Sequence, residues 1–253
     1  MCSSDLNERN SKATLFASRV QDRVLSNADP TFDEDMSGFT TGVGFDQVIN
    51  PVLVLSLKYQ FAFLQGFLGN PYRTVLVGPL PHPEMPPDDR LRHAVSGRLA
   101  WHVPHSNTSL HFMYSAYADS WNIAAITPEL RVYQQIGPDL LLRARYRFYA
   151  QTAADFERKR CGEELDESSA SCKNIPAGAY PAGYTGPVTN DPKMVAFTTH
   201  TFGIQVDYRL DFLTNTVFDF AKDSTVDFAI DRYLSTSAFG NGIIGTVGGR
   251  FLF

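Results

Sequence analysis

The sequence has no long apolar run, few cysteines and no excess of positive charge. No stretch approaches the roughly 18 uncharged apolar residues that a transmembrane helix needs, which excludes a helical membrane protein. The formal net charge is −5, so no basic field attracts nucleic acid, and we expect no nucleic-acid partner. The mean hydropathy of −0.18 is typical of soluble proteins, but also of membrane strands, of which only alternate residues face lipid.

Motifs that carry chemistry are also missing. The sequence contains neither a His-Glu-x-x-His zinc motif nor a Gly-x-Ser-x-Gly nucleophile turn. Of its three cysteines, Cys161 and Cys172 lie in one polar segment without a nearby histidine, which is short of a zinc set. In an exported protein we expect these two to form a disulfide, with two free thiols as the alternative. We therefore predict no catalytic residue, no metal and no cofactor.

Aromatic residues, by contrast, make up 13% of the chain, and they alternate with polar residues. In residues 142–150 three arginines fall on every second position, with apolar or aromatic residues between them. Successive side chains of a strand point to opposite faces, so this strand has one cationic and one apolar face. A half-buried strand of a soluble protein has the same pattern. Because the pattern recurs in most other segments, it predicts a closed β-barrel with lipid outside and water inside.

Ten segments are candidate strands, of which the first alternates poorly, and its Leu15, Arg19 and Arg23 are also compatible with a helix. The ten segments are residues 12–25, 38–49, 52–67, 90–103, 108–118, 122–136, 140–154, 194–212, 225–236 and 242–253. Several alternate connections are short, whereas two of the intervening ones, 68–89 and 155–193, are long, as outer-membrane barrels sort their periplasmic and extracellular loops. The short connection near Trp121 and the long one at 213–224 break this rule. We predict one all-β domain over 1–253, an antiparallel up-and-down transmembrane β-barrel with those two long loops outside the cell.

Stretches within residues 38–156 resemble, in the same order, an uncharacterised family of bacterial outer-membrane β-barrels that is classed as a domain of unknown function. The stretches are 47–51, 69–75, 92–96, 119–123, 127–130 and 145–156. The resemblance implies a barrel in the outer membrane of a Gram-negative bacterium, and it implies no chemistry. Family members are longer at the N-terminus, so we expect the full barrel to have further strands before this region.

The face predicted to line the lumen is largely cationic. Its charged residues include Lys58, Arg92, Arg98, Glu129, Arg131, Arg143, Arg145 and Arg147. Cations that line a narrow pore lower the barrier for anions, which predicts an anion-favouring constriction. The alternative is a salt-bridged interior that fills a narrow barrel and conducts little, and the short turn at 137–139 would place Glu129 opposite Arg147 as one such pair.

Aromatic residues near the predicted strand ends are candidates for membrane-interface anchors. They are Trp101, Trp121, Tyr146, Phe251 and Phe253. The last strand ends on Phe253 with apolar residues at alternate positions, which resembles the recognition signal for outer-membrane insertion. We therefore expect two partners, the outer-membrane lipid and the barrel-insertion machinery, the latter through the C-terminal strand.

These features favour a passive pore or channel for small solutes, and the sequence does not identify the solute. The main alternative is a non-conducting barrel that presents loops 68–89 and 155–193 for binding or adhesion. A third is an outer-membrane hydrolase, because several histidines and serines fall in one predicted hairpin; His93 and His102, however, differ in parity and point to opposite faces. The last is a soluble ligand-binding barrel, with Leu142, Tyr146 and Phe148 inside and the arginines outside.

Overall fold

Ten antiparallel strands form one sheet in the computed structural model, which describes residues 11–26, 31–162, 172–213 and 224–251. The strands are β1 Ser11–Leu25, β2 Asp33–Asn50, β3 Leu53–Gly66, β4 Thr74–Val77, β5 Leu80–Pro83, β6 Asp89–Val103, β7 Thr108–Asp119, β8 Ala124–Ile136, β9 Leu140–Gln151, β10 Phe197–Arg209, β11 Thr225–Ser235 and β12 Gly242–Arg250. Two short 3₁₀ helices cover Glu157–Lys159 and Asp211–Leu213. Among the described residues, no helix is long and apolar enough to span a membrane.

The order of strands in the sheet is β1-β2-β3-β6-β7-β8-β9-β10-β11-β12, and β4 pairs with β5 in a separate hairpin. The predicted all-β, antiparallel up-and-down fold with ten sheet strands is therefore confirmed. The β4–β5 hairpin lies inside the predicted loop 68–89. The sequence did not predict it, because Pro81 and Pro83 are unusual in a strand. Proline is tolerated at an edge position because the lost N–H there faces away from the ladder.

The exposure of the strands is the inverse of that in a soluble protein. In β11, Val226, Phe228 and Ile230 are 37%, 51% and 44% exposed. Asp227 and Asp231, which alternate with them, are half-buried and so are less exposed than their apolar neighbours. We call the face that carries Ile230 the apolar face and the face that carries Asp231 the polar face. In register with Ile230 across the sheet lie Ile204, Ala144, Val132, Leu110, Trp101 and Leu53. The apolar side chains of the sheet thus form its more exposed surface.

The sheet curls around its polar face. One cavity of about 490 Å³ is lined at once by polar-face residues of β6, β7, β8 and β9, including Arg92, Ser115, Thr127 and Tyr149. Neighbouring strands lie about 4.8 Å apart, so a flat sheet would leave no hollow common to four strands. The curl does not close on itself: β1 and β12 are the two edges, and within the described ranges they are not paired with each other.

A glycine lets an ion pair span three strands on the polar face. The Arg145 guanidinium of β9 makes two bonds of 2.9 Å to the Asp231 carboxylate of β11, passing over Gly203 of β10. A Cβ at Gly203 would lie 2.0 Å from an Asp231 carboxylate oxygen and 2.8 Å from the Arg145 Cγ. Because this pair is bidentate and half-buried, it fixes the register of β9, β10 and β11.

We expect Gly203→Ala to lower the free energy of unfolding by about 1–3 kcal/mol, because the added methyl group must displace one partner of the ion pair. Urea unfolding in detergent micelles, followed by tryptophan fluorescence, measures this change. The matched control is Gly245→Ala in β12, where a Cβ meets nothing within 4 Å. Equal unfolding midpoints for both variants would contradict the role given to Gly203.

Candidate functional site

Three connections at one end of the sheet fold together into a structure that we call the cap. It comprises residues 67–88, 120–123 and the described part of 152–196. In an up-and-down sheet alternate connections emerge at the same end, so segments distant in sequence meet there. One cap cluster buries Trp121, Ile123, Ala154 and Phe156, and a second buries Val75, Tyr180 and Val188. The cap therefore has apolar cores of its own.

Backbone bonds join the β4–β5 hairpin to the second long connection. The Met85 and Val188 backbones exchange two hydrogen bonds of 2.9 Å, and the Tyr180 N–H donates to the Leu76 carbonyl at 2.9 Å. The Gly78 N–H donates back to the Tyr180 carbonyl at 2.8 Å. Because these backbone bonds pair the two segments as neighbouring strands are paired, the two predicted loops form one folded unit.

Glu84 is the polar centre of the cap. Its side chain is 3% exposed, and its carboxylate accepts from the Asn70 N–H at 2.9 Å and the Asn190 N–H at 3.2 Å. The Thr189 hydroxyl also donates to it, and the Arg73 guanidinium lies 3.2 Å away. A buried carboxylate is stable only when it is paired and hydrogen-bonded, so these contacts hold the two connections together.

A second buried charge pair anchors the cap to the sheet. Arg90 ion-pairs with Asp119, and its guanidinium carbon lies 4.1 Å from the centre of the Trp121 ring. The other Asp119 oxygen accepts from the backbone N–H groups of Trp121 and Ile123 at 3.0 and 2.9 Å. The Asp119 carboxylate therefore fixes the backbone of the short connection between β7 and β8, and the Trp121 side chain points into the cap.

Trp121 is therefore not an interface anchor, and the prediction that placed it at the membrane surface is wrong. Its ring is 4% exposed, packs edge-on against Phe156 and donates its N–H to the Asp89 carbonyl at 2.8 Å. An anchor in the membrane interface needs an exposed ring. From sequence, a tryptophan just beyond a strand end indicates an anchor equally well, which is why the burial was missed.

The second long connection is held by a disulfide and by a buried tyrosine. Cys161 and Cys172 form the disulfide, and the Cys161 N–H donates to the Ala179 carbonyl at 2.8 Å. Tyr180 is fully buried, and its hydroxyl accepts from the Thr189 N–H at 3.1 Å. Burial raises the pKa of the Tyr180 phenol. The hydrogen bonds with Thr189 and Arg160 lower this pKa, but they offset the effect of burial only in part. The phenol is therefore neutral at physiological pH.

Beneath the cap lies the cavity of about 490 Å³, which we call the vestibule. Its walls are polar-face residues of β6 to β9, and Lys193 and Met194 of the cap line it as well. A second cavity of about 340 Å³ continues along the polar face and is lined by Lys58, Arg98 and Ser115 among others. Because Ser115 lines both cavities, the two are neighbours along the polar face of β6 and β7.

The register places all the residues predicted to line a lumen on the polar face. On β6 to β9, which are described throughout, this face carries seven arginines and two acids. The arginines are Arg90, Arg92, Arg98, Arg131, Arg143, Arg145 and Arg147, and the acids are Asp119 and Glu129. On β10 and β11 the face instead carries three acids, Asp207, Asp227 and Asp231, and one arginine, Arg209, at the end of β10. Cationic and acidic walls are thus separated around the polar face.

Glu129 lies opposite Arg147 in the register, as expected, yet its ion pair is with Arg131. Arg131 is two residues further along the same face of the same strand, and its guanidinium, not that of Arg147, forms the ion pair with the Glu129 carboxylate. The predicted Glu129–Arg147 ion pair is therefore wrong.

The other anchor candidates lie at the exposed surface. Trp101, Tyr146 and Phe251 are 45%, 39% and 54% exposed, and Phe253 lies outside the described residues. Tyr146 bonds His200 at 2.9 Å, and Tyr59 bonds His93 at 2.8 Å, both on the apolar face near the cap. Sequence reasoning missed these pairs, whose signal is a Tyr-x-Phe within one strand and a histidine near the start of the next sheet strand.

One serine and one histidine of the predicted hairpin do meet: His102 Nδ1 lies 3.0 Å from the Ser109 hydroxyl, at the sheet end opposite the cap. Among the described residues no carboxylate forms an ion pair with His102, so nothing there orients it as a base. Within the same residues no group of three or more His, Cys, Asp or Glu side chains could hold a metal ion.

Comparisons with known proteins identify a family but no activity. The family model described as "Protein of unknown function (DUF3570)" matches residues 7–247, which confirms the resemblance to a family of unknown function. No curated protein matches the chain.

Two solved structures are similar to it over most of its length, but with low TM-scores. The β domain of the Bordetella autotransporter BrkA is 13% identical with a TM-score of 0.34, over 95% of this chain and 84% of that one. OccD3 (OpdP) of Pseudomonas aeruginosa is 10% identical with a TM-score of 0.36, over 96% and 66%. At these TM-scores neither structure bears on function.

We expect Glu84→Gln to loosen the cap by about 1–3 kcal/mol, because the charge-assisted bonds of the buried carboxylate are lost. Arg73 keeps Asp191 as a second partner at 3.1 Å, which limits the loss. Hydrogen exchange at the Tyr180 and Val188 amides measures the loosening, while exchange in the sheet strands should not change. Asp88→Asn, at an exposed acid of the same connection, is the control. Unchanged protection at both amides in Glu84→Gln would exclude Glu84 as the centre of the cap.

Proposed function

The chain belongs to the DUF3570 family, and we propose that it acts in the outer membrane of a Gram-negative bacterium as a passive channel for small solutes that favours anions. The observation that carries this proposal is the inverted exposure of the sheet. Leu57, Val95, Phe112 and Phe228 are 46%, 52%, 48% and 51% exposed on the apolar face, while charged side chains line the cavities of the other.

An apolar surface of this extent favours lipid over water. Burial of apolar area is worth about 25 cal/mol per Å², and soluble monomers rarely expose apolar patches beyond a few hundred Å². Strands β6 to β11 contain 11 to 15 residues, enough to cross a bilayer that needs about 9–11 per tilted strand. A channel also requires the edges β1 and β12 to be paired, with each other or with further strands, because lipid satisfies no open edge.

The preference for anions rests on unpaired arginines. Arg90, Arg131 and Arg145 have carboxylate partners. Among the described residues, Arg92, Arg98, Arg143 and Arg147 form no ion pair, and neither does Lys58. Charges that line a narrow path act more strongly on a passing ion than they do in bulk water, because the surroundings screen them less. These cations therefore lower the barrier for anions.

In planar bilayers under a salt gradient we expect discrete conductance steps with an anion-selective reversal potential. The double variant Lys58→Gln, Arg98→Gln should reduce the anion-to-cation permeability ratio by at least about tenfold, since each of the two unpaired charges near the path is worth on the order of 1 kcal/mol and every 1.4 kcal/mol is a factor of ten. Arg209→Gln, at the strand end and paired with Asp211, is the control. A folded protein without conductance steps would overturn the channel proposal.

A second candidate function is a non-conducting barrel that presents the cap to a partner. The observation that favours it is the folding of the cap, whose apolar clusters, disulfide and buried Glu84 exceed what a connection between strands needs. A partner that binds wild type and Asp88→Asn but not Glu84→Gln, in a protein that conducts nothing, would favour this function.

We propose no catalytic activity, because no orienting carboxylate accompanies the His102–Ser109 contact within the described residues. We further propose that the insertion machinery recognises β12 and the residues after it, where Ile243, Val247 and Phe251 are 62%, 78% and 54% exposed. Replacing Val247 by Ser should slow assembly into vesicles that contain this machinery. An equal assembly rate would contradict the proposal.

A further inference from the structure

The vestibule contains more positive charge than its surroundings neutralise. Three cations line it, namely Arg90, Arg92 and Lys193, and no carboxylate is part of the lining. Arg90 is accounted for by Asp119 and by the Trp121 ring. Within the described residues the Arg92 Nε is buried without a hydrogen-bond partner. The Arg92 guanidinium lines the cavity without an ion-pair partner among the described residues, and charged donors are almost always satisfied, so it is free to take an anionic acceptor from the cavity.

The vestibule is rigid where cap and sheet meet. The Gln151 amide donates to the Lys193 and Val195 carbonyls at 2.8 and 2.7 Å, and the Tyr149 hydroxyl donates to the Gln151 side-chain oxygen. The Ala154 N–H donates to the Met194 carbonyl at 2.8 Å. These bonds hold Lys193 and Met194 over the cavity, so the wall that faces Arg92 is preformed. A preformed site loses less entropy when it binds a ligand.

The rest of the lining is mostly apolar. Ala94, Ala116, Ile123, Ala125 and Met194 contribute aliphatic surface, and the volume of about 490 Å³ is within the range of about 300–1,000 Å³ for small-molecule sites. A fully hydrated inorganic ion gains nothing from such walls. A molecule with one anionic group and an apolar body fits both parts of the lining.

We propose that the vestibule binds a small organic carboxylate. Its carboxylate accepts from Arg92 and Lys193, and its apolar body lies against Ile123 and Met194. The planar guanidinium matches a carboxylate in a two-pronged geometry, which a lone ammonium does not. This inference rests on the proposed function, because we take the ligand to be a solute that the channel passes. It adds that such solutes have an apolar body as well as a negative charge.

Calorimetric titration of the purified full chain in detergent micelles tests the site without a membrane. The probes are benzoate, its neutral analogue benzamide, and inorganic phosphate, at constant ionic strength. We expect benzoate to bind, and Arg92→Gln to weaken it by about tenfold or more, because a charge-assisted bond is lost. Benzamide and phosphate should bind at least about tenfold more weakly than benzoate.

Two further variants keep the test decisive. Lys193→Gln changes the cap side of the vestibule and should also weaken benzoate, and it serves if Arg92→Gln does not fold. Arg209→Gln, at the far end of the sheet, should bind benzoate as wild type does. Absence of benzoate binding at millimolar concentration, equal binding of phosphate, or full affinity in a folded Arg92→Gln would each overturn the site.

Benzoate binding and channel conductance are measured separately, so the site and the channel can fail independently. Benzoate binding in a protein that shows no conductance steps supports the site and overturns the channel. Anion-selective steps in a protein that does not bind benzoate support the channel and overturn the site.

Discussion

The structure depends on the alternation of apolar and polar side chains along its strands, in which the apolar side chains form the more exposed face. Most strands between the edges β1 and β12 alternate a more exposed apolar residue with a less exposed polar one, so a slip of one residue in their pairing would exchange the two faces. The register must therefore be held throughout the sheet. The ion pair of Arg145 and Asp231 across Gly203 fixes three strands at once, because it forms only when all three are aligned.

The cap follows from the same topology. Neighbour-to-neighbour pairing brings the connections after β3, β7 and β9 to one end, where they meet without long-range threading. The short connection after β7 is part of this unit, because it contributes Trp121 to the cap core and needs no length to do so. Its shortness, which contradicts the rule that outer connections are long, thus reflects its burial between two longer ones.

Alternation made most of the sheet strands predictable, since it depends only on the polarity of neighbouring residues, whereas β1 alternates poorly and its sequence also fits a helix. The cap was not predictable, because its contacts join distant residues without any periodicity: Glu84 and Thr189 are bonded across a separation of 105 residues. Local ambiguity explains the remaining errors. Trp121 at a strand end fits an anchor and a core residue equally well, and Glu129 faced two arginines, of which sequence reasoning chose Arg147.

The cap and the polar face are coupled through the vestibule. Arg92 belongs to the sheet and Lys193 to the cap, so an anion held between them contacts both and is favoured only when the cap is in place. Linkage then requires the reverse: whatever stabilises the cap strengthens binding, and binding stabilises the cap. In the proposed site Glu84 would act on binding through this coupling although it does not line the vestibule, since its carboxylate bonds Thr189 and Asn190 of the segment that leads to Lys193. A folded cap is thus compatible with a channel, because it can serve as the roof of a solute site.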